Sequence, residues 1–297
     1  AAYPELNRRQ LTLAPADAYY RKEWMRYYQE TLNNKPPAPA VVPEPYLPNT
    51  LPAAPAKPVT SCPPKPIKTV INDCHDIQNH LKEGDIVLKS TPGNDSDFIR
   101  KAAKCAYSHA GIVTQNDHGD LVIVDAYPQR SNGAIAEESI DSFFCNHDTF
   151  KGLVTRPNDC NAAKKAAQWA YKQTKNPDYN FDIFNPWSED PKRLYCSDFV
   201  YQSYQNAGIE LVADKMDFLS NENKANTLEA VREYVSDEHK LVAKASDEKI
   251  EEELHKRASS SEYITPCQVA INDKTNTVIE FESSSRSSTN DDSKKTK

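Results

Sequence analysis

The chain has 297 residues, a length that fits one large domain or two domains of ordinary size. It contains 36 Lys and Arg residues against 43 Asp and Glu residues, and the resulting net charge of −7 argues against a protein that binds nucleic-acid phosphates. The mean hydropathy of −0.75 is low for a chain that folds throughout, which indicates that part of it stays unfolded. No apolar run approaches the roughly 20 residues that a bilayer requires, so we predict no transmembrane segment.

Residues 1–34 are predicted to form an N-terminal helical segment with an aromatic face. Residues 17–34 contain neither Gly nor Pro, and they begin with Asp17, a suitable N-cap. The aromatic residues that share one helical face are Tyr20, Trp24, Tyr27 and Tyr28. Because one helix cannot bury this face against itself, we expect it to pack on the main domain, on another protein or on a membrane surface.

Residues 35–76 are predicted to be a proline-rich linker. Twelve of the 21 prolines fall between Pro36 and Pro66. Proline fixes φ and removes a backbone donor, so this stretch is typical of a semi-rigid, polyproline-like spacer. Residues 17–66 are accordingly where we expect a protein partner to bind. At the other end, residues 283–297 contain no apolar residue and are predicted to be disordered.

Residues 77–282 are predicted to form the folded domain. Apolar runs and turn residues predict strands at residues 85–88, 109–114, 121–126, 152–156 and 278–281. Helices are predicted at 96–106 with Ser96 as N-cap, at 161–174, and at 197–207 ending at Gly208. Residues 215–261 are highly charged and largely helical, and we interpret them as an insertion in the domain. Strands grouped as a hairpin with helices before and after them indicate an α+β fold, a small antiparallel sheet packed against helices.

The seven cysteines form no CxxC pair, which disfavours a zinc ribbon. The spacings Cys105-x3-His109 and Cys145-x-His147 are of a metal-ligand type, but we predict no metal site and no cofactor. An odd number of cysteines allows three disulfides and one free thiol in an oxidising compartment. The sequence alone leaves open whether these bridges form.

Cys196 is the candidate for the free thiol. It lies in LYCSDFVYQSYQNAG, where an irregular segment meets the first turn of a predicted helix. Unpaired N–H groups and the helix dipole favour a thiolate at that position, and the same N–H groups can bind the oxyanion of a tetrahedral intermediate. The alternative is a cysteine that is merely packed at a helix start.

Six segments together resemble the permuted papain-like amidases of the NlpC/P60 superfamily, in the YiiX/YaeF-like group. The segments are LKEGDIVL, YSHAGIV, VIVDA, YNFDIF, LYCSDFVYQSYQNAG and ITPCQVAIND, and the resemblance spans residues 77–281. It implies a circularly permuted papain-like fold, in which a histidine on a strand precedes a nucleophilic cysteine on a helix. His109 and Cys196 have that order in this chain. Nothing in the first 70 residues matches the family.

The resemblance assigns Cys196 as the nucleophile, His109 as the general base and Asp125 as the residue that orients the base. Many relatives have Glu where this chain has Asp125, whose side chain is about one methylene shorter. Asp85 follows the Gly-Asp turn of the family and is expected to brace the first strand. The neighbours that are candidates for the substrate pocket, or for local packing only, are Ser108, Tyr195 and Ser197.

The resemblance implies a cysteine amidase or peptidase that works through a thioacyl-enzyme. Its expected substrates are peptides, peptidoglycan fragments and small N-acyl amides. Two alternatives stay open: an acyltransferase or lipid-directed thiol hydrolase of the same fold, and a catalytically silent binding domain. The spacer and the unmatched N-terminus suggest a bacterial protein that is periplasmic or secreted, cytoplasmic only before export, and delivered as an antibacterial effector.

Overall fold

The computed structural model describes residues 74–127, 133–145, 149–181, 192–236, 246–257 and 262–282. The predicted N-terminal helix, nearly all of the predicted linker and the predicted disordered tail lie outside these residues. The described part begins with a 3₁₀ helix at Cys74–His80, three residues before the predicted start of the domain. Within the described residues, no helix has the length and apolar character needed to span a membrane.

An antiparallel sheet organises the described residues. The strands are β1 (Ile86–Ser90), β2 (His109–Gln115), β3 (Leu121–Ala126), β4 (Ile135–Glu138), β5 (Lys151–Pro157), β6 (Asn180–Phe181), β7 (Arg193–Leu194), β8 (Met216–Asp217), β9 (Glu262–Tyr263) and β10 (Thr275–Glu282). In the described residues, six of these strands form one sheet in the order β10-β5-β1-β2-β3-β4, and all neighbours in it are antiparallel.

Helices cover both faces of the sheet. The helices are α1 (Asn94–Ala102), α2 (Ile140–Phe144), α3 (Cys160–Gln173), α4 (Cys196–Asn206), α5 (Lys224–Ser236), α6 (Asp247–Arg257) and α7 (Pro266–Ala270). On one face, Leu88 and Ile112 share a core with residues of α3 and α4. On the other face, Val113 and Ile123 pack with Phe143 of α2 and with the 3₁₀ helix. Successive strand residues point to opposite faces, so both cores draw on the same strands.

The predicted strands are all present, and the α+β class and the antiparallel sheet are confirmed. The prediction of Ser96 as an N-cap is wrong, because α1 begins at Asn94. The N-cap is Gly93, with φ 127°, three residues earlier than predicted. The helix also ends at Ala102 and not at residue 106, since Lys104 takes a left-handed φ of 48°. Strand β4 and helix α2 were not predicted.

The predicted insertion begins and ends at one place in the fold. Met216 and Asp217 of β8 pair with Tyr263 and Glu262 of β9, so the chain leaves and returns through a single two-stranded ladder. Helix α5 then packs against α1, where Lys101 bonds two glutamates of α5 at 2.8 and 2.7 Å. The described parts of this segment are helical in α5 and α6.

Disulfides account for five of the cysteines in the described residues. Cys74 is bonded to Cys145, Cys105 is bonded to Cys267, and Cys160 is also disulfide-bonded. Among the described residues the free cysteine is Cys196. The structure therefore agrees with the expectation that Cys196 keeps its thiol while other cysteines form bridges.

Candidate active site

His109 and Asp125 meet on one face of the sheet. His109 is the first residue of β2, and Asp125 lies on β3 opposite Gly111. Residues two apart on a strand share a face, so the imidazole of His109 reaches past Gly111 to the carboxylate. His109 Nε2 lies 2.6 Å from Asp125 Oδ2. An ionised carboxylate only accepts hydrogen bonds, so Nε2 carries the hydrogen of this bond.

Cys196 is the first residue of α4 and contacts the same histidine. Tyr195 is the N-cap of the helix, so the sulfur projects from its first turn. The Cys196 side chain lies close enough to the His109 ring to interact with it electrostatically. Because Nε2 of His109 is bonded to Asp125, Nδ1 is the ring nitrogen that remains for the sulfur. The structure thus brings together the three residues that the sequence singled out.

The electrostatics of this cluster favour a protonated His109. Burial lowers the pKa of His109, but its interactions with Cys196 and Asp125 outweigh burial and raise the pKa to about 9. His109 is 8% exposed and Cys196 is 5% exposed. Charges interact more strongly away from bulk water, so an imidazolium stabilises a thiolate beside it effectively.

Aromatic side chains form the wall behind His109. Its ring makes an edge contact with Tyr127, with 5.4 Å between ring centroids, and lies 5.9 Å from the ring of Phe143. Lys89 Nζ lies 4.1 Å from the centre of the Phe143 ring and 3.4 Å from a carboxylate oxygen of Glu138. Neither Phe143 nor Lys89 was predicted from the sequence. Lys89 lies opposite His109 on the neighbouring strand, a register that the sequence does not show.

The three pocket candidates are buried and bonded to protein groups. The Tyr195 hydroxyl accepts a hydrogen bond from the Ile264 N–H at 2.8 Å, and the Ser197 hydroxyl donates to the Ile264 carbonyl at 2.8 Å. Ser108 Oγ lies 2.5 Å from Ser96 Oγ. These contacts are those of local structure, and a role in contact with substrate stays a prediction.

Other residues that the sequence singled out lie apart from this cluster. Asp85 is 1% exposed and accepts two hydrogen bonds from the Arg156 guanidinium, each at 2.7 Å, which agrees with its expected bracing role. Burial is the main influence on the pKa of Asp85 and raises it, although Arg156 acts in the opposite direction. His118 is exposed in the turn between β2 and β3. His147 lies outside the described residues.

The cysteines of metal-ligand type are engaged in disulfides. Cys105, which has a ligand-like spacing to His109, is bonded to Cys267. Cys74, His75 and Cys145 place potential ligand atoms within 4.8 Å of one another, but the two sulfurs are bonded to each other. A disulfide sulfur is not a thiolate, so neither group offers cysteine ligands in this state.

A strand-borne histidine hydrogen-bonded to a carboxylate, next to a cysteine that opens a helix later in the chain, defines a papain-like site in permuted order. A family model described as "Permuted papain-like amidase enzyme, YaeF/YiiX, C92 family" matches residues 80–278. The chain belongs to this family of permuted papain-like amidases. Its general class of activity is therefore that of an amidase or peptidase, a hydrolase.

A solved structure also resembles the chain. It is described as the crystal structure of the metalloprotein YiiX from Escherichia coli O157:H7. The two chains are 20% identical, the match covers 67% of this chain and 97% of that one, and the TM-score is 0.47. A likeness of this size says nothing about ligands or substrates. No curated protein matches this chain.

Proposed function

We propose that the protein is a cysteine amidase or peptidase in which Cys196 is the nucleophile, His109 the general base and acid, and Asp125 the residue that orients His109. One observation carries this proposal: a single imidazole interacts electrostatically with Cys196 and, through Nε2, lies 2.6 Å from a buried carboxylate oxygen. This is the nucleophile, base and orienter arrangement that activates a thiol.

The first half of the reaction forms a thioester. The Cys196 thiolate attacks the carbonyl carbon of the scissile amide, and the π electrons of that carbonyl move to its oxygen. The tetrahedral intermediate then collapses, the C–N bond breaks, and His109 gives its proton to the leaving amine. The raised pKa of His109 supports this step, because the ring holds a proton at neutral pH.

The second half regenerates the enzyme. Neutral His109 takes a proton from water, the resulting hydroxide equivalent attacks the thioester carbonyl, and the C–S bond breaks to release the acid and the Cys196 thiolate. Through both halves, Asp125 holds the hydrogen on Nε2 and keeps Nδ1 directed at the reaction. The first backbone N–H groups of α4 have no partner within the helix and are suited to stabilise the oxyanion.

We propose that the substrates are cell-wall peptides or small peptide and N-acyl amides, and that the protein acts in the periplasm or after secretion. The disulfides Cys74–Cys145 and Cys105–Cys267 support this location, because such bonds persist in oxidising compartments. Peptidoglycan is the amide-rich polymer of that compartment in bacteria. The role as an antibacterial effector rests on the sequence alone and stays a prediction.

The test is incubation of the full chain with purified peptidoglycan, with muropeptides and with N-acyl amides, with products identified by mass spectrometry. Wild type is compared with Cys196→Ala and with Ser203→Ala, a buried substitution two turns further along α4. We expect new amine and carboxylate termini with wild type and Ser203→Ala, and none with Cys196→Ala.

Each other outcome has a defined meaning. Transfer of an acyl chain to an acceptor, without net hydrolysis, would favour the acyltransferase alternative. Substrate binding without any thiol-dependent turnover would favour the binding domain. Full hydrolysis by folded Cys196→Ala would refute the mechanism.

A further inference from the structure

The residues on either side of Cys196 are hydrogen-bonded to the backbone of the same residue, Ile264. The Tyr195 hydroxyl accepts a hydrogen bond from the Ile264 N–H, and the Ser197 hydroxyl donates one to the Ile264 carbonyl, both at 2.8 Å. Tyr195 is 4% exposed and Ser197 is 1% exposed. Because water does not reach these groups, neither bond can open without leaving a buried polar atom unpaired. The two bonds therefore fix the backbone on both sides of the sulfur-bearing residue.

Ile264 is itself held in place by the residues around it. The Ile264 side chain is 1% exposed and lies in the core that α3 and α4 share with the sheet. The next residue, Thr265, caps α7 in a reciprocal arrangement with Gln268, in which each side chain bonds the backbone of the other. Cys267 in the same helix is disulfide-bonded to Cys105. Ile264 is accordingly a rigid reference point beside the start of α4.

We propose that Tyr195 and Ser197 are positioning residues. Their hydrogen bonds to the Ile264 backbone set the distance and direction of the Cys196 sulfur relative to His109. This inference rests on the function proposed above. It gives the two predicted pocket candidates a different role, since they act on the nucleophile and not on the substrate. A misplacement of about 1 Å is enough to reduce a rate about 100-fold, so two hydrogen bonds can matter this much.

The hydrogen bonds to Ile264 also connect Cys196 to the place where the insertion leaves the domain. Ile264 directly follows β9, which pairs with β8 where the insertion leaves the domain. The ring of Tyr263 in β9 lies 6.0 Å from the ring of Tyr195 and stacks on Phe218 at 4.5 Å. Tyr263 and Ile264, which lie just after the insertion, thereby contact the residues on either side of Cys196.

Helix α4 supplies matched controls for the two hydroxyls. Ser203 is fully buried and donates a hydrogen bond to the Phe199 carbonyl at 2.7 Å, and the fully buried Tyr204 hydroxyl donates to the Gly84 carbonyl. Removal of either oxygen costs a buried hydrogen bond of the same kind as at Ser197 or Tyr195. These residues lie about two turns away from the sulfur and do not hold Ile264.

The probe is iodoacetamide, a neutral reagent that alkylates thiolates. The full chain is alkylated at pH 6 and at pH 9, and the rate at the peptide that contains Cys196 is followed by mass spectrometry. An ordinary thiol has a pKa of about 8.5 and reacts slowly at pH 6. In the wild type we expect the pH 6 rate to be a larger fraction of the pH 9 rate than for an ordinary thiol, because His109 beside the sulfur carries its proton at pH 6.

Tyr195→Phe and Ser197→Ala are each expected to lower the ratio of the pH 6 rate to the pH 9 rate by about 10-fold, since the sulfur no longer sits against the imidazolium. The rate ratio of the double variant should be little lower than that of either single variant, because both hydroxyls bond the backbone of the same residue, Ile264. Ser203→Ala and Tyr204→Phe should keep the wild-type ratio, even where their melting temperatures fall as much.

The results separate this inference from the proposed function. A wild-type ratio of the pH 6 rate to the pH 9 rate no higher than that of an ordinary thiol would refute the activation of Cys196 by His109 and with it the proposed function. A higher wild-type ratio together with unchanged ratios in folded Tyr195→Phe and Ser197→Ala would overturn the positioning role alone, as would equal losses in the control variants. If Tyr195→Phe does not fold, Ser197→Ala decides, since it removes one oxygen atom only.

Discussion

The contact between His109 and Asp125 depends on the absence of a side chain at position 111. A Cβ built on Gly111 would lie 2.7 Å from Ile123 Cγ2, 3.3 Å from the Val124 carbonyl oxygen and 3.4 Å from Asp125 Cβ. The first of these distances is shorter than real Cβ contacts, and the methyl group it meets is attached to a branched, fully buried side chain. Any residue larger than glycine at this position must push β3 away from β2.

We predict that Gly111→Ala reduces turnover at least about 10-fold, because it displaces Asp125 from His109 without removing a functional group. Overpacking of this kind also costs about 1–3 kcal/mol of stability. Gly152→Ala is the matched control, since its Cβ would lie 2.1 Å from the Phe281 ring, between β5 and β10 and two strands away from His109. Steady-state rates and melting temperatures are measured for both. Equal losses of turnover at equal stability would contradict the prediction.

The proposed triad should show a graded response to truncation. Cys196→Ala should abolish turnover, because no other group can form the thioester. His109→Ala should cost about 10²- to 10⁴-fold, as expected for loss of the general base. Asp125→Ala should leave measurable activity, since water or a backbone carbonyl can partly control the tautomer of His109. The three rate constants are compared after circular dichroism has verified folding; an Asp125 variant as inactive as Cys196→Ala would contradict this order.

At the residue scale, the sequence predicted which three side chains would meet but not how they are supported. The order His109 before Cys196 came with the family resemblance, and both residues stand inside recognisable motifs. The hydrogen bonds that join Tyr195 and Ser197 to Ile264 could not be predicted in this way. They join residues 67 and 69 positions apart through backbone atoms, which leave no trace in residue type.

At the scale of elements, one disulfide connects the two halves of the candidate site. Cys105 lies four residues before His109, and Cys267 lies three residues after Ile264. The bond between them therefore ties the segment that leads into β2 to the segment that Tyr195 and Ser197 hold. The disulfide Cys74–Cys145 lies on the opposite face and ties the 3₁₀ helix to the end of α2.

The double variant Cys105→Ala/Cys267→Ala should lose more activity than Cys74→Ala/Cys145→Ala at a comparable loss of stability. The bridged residues are 162 and 71 positions apart, so the loop-entropy terms of the two disulfides differ by less than about 1 kcal/mol. The difference in turnover then reports on geometry at the site. Chemical denaturation gives the two stabilities, and rates are compared well below both midpoints. Equal residual activity in the two variants would argue against a link through Cys267.

The elements that the sequence predicted are those with a strong local pattern. Strand β3 was predicted with the boundaries that the structure has, because LVIVDA is a continuous apolar run after a turn. Strand β4 and helix α2 are four and five residues long, and lengths this short carry too few positions to show a period. Ser96 was predicted as the N-cap of α1 because it stands before an apolar helical stretch. The actual start of α1 depends on the backbone of Gly93.

At the scale of the whole molecule, the site lies where the two cores adjoin. Cys196 belongs to the helix that packs on one face of the sheet, while His109 contacts Phe143 from the other face. His109 opens its strand and Cys196 opens its helix, so both stand at the ends of their elements. Local patterns predict neither the sheet order nor the pairing of these ends. The order of the sheet was not predicted, whereas the meeting of His109 and Cys196 was expected from the resemblance to a permuted fold.

One buried carboxyl makes the stability of the whole domain depend on pH. Asp198, in the first turn of α4, is 5% exposed and accepts a hydrogen bond from Gln202 at 2.9 Å. Burial raises the pKa of Asp198 to about 7, although the bond from Gln202 and the charge of Lys215 act in the opposite direction. In the unfolded chain the pKa of Asp is about 3.9. Between these two values the unfolded state is ionised while the folded state still holds its proton, so stability falls as the pH rises from about 4 to 7 and then levels off.

We therefore predict that Asp198→Asn stabilises the protein at pH 8 but not at pH 4. An amide oxygen can still accept the bond from Gln202 and carries no charge to bury, so the variant escapes the penalty that the wild type meets on ionisation. A shift of this size corresponds to about 2–4 kcal/mol at pH 8 and to nearly nothing at pH 4. Urea unfolding of both proteins at several pH values measures the difference, with Asp178→Asn as a control for loss of an exposed carboxylate. A stability difference that is the same at pH 4 and pH 8 would mean that the pKa of Asp198 is the same in the folded and unfolded protein, and that Lys215 and Gln202 offset its burial.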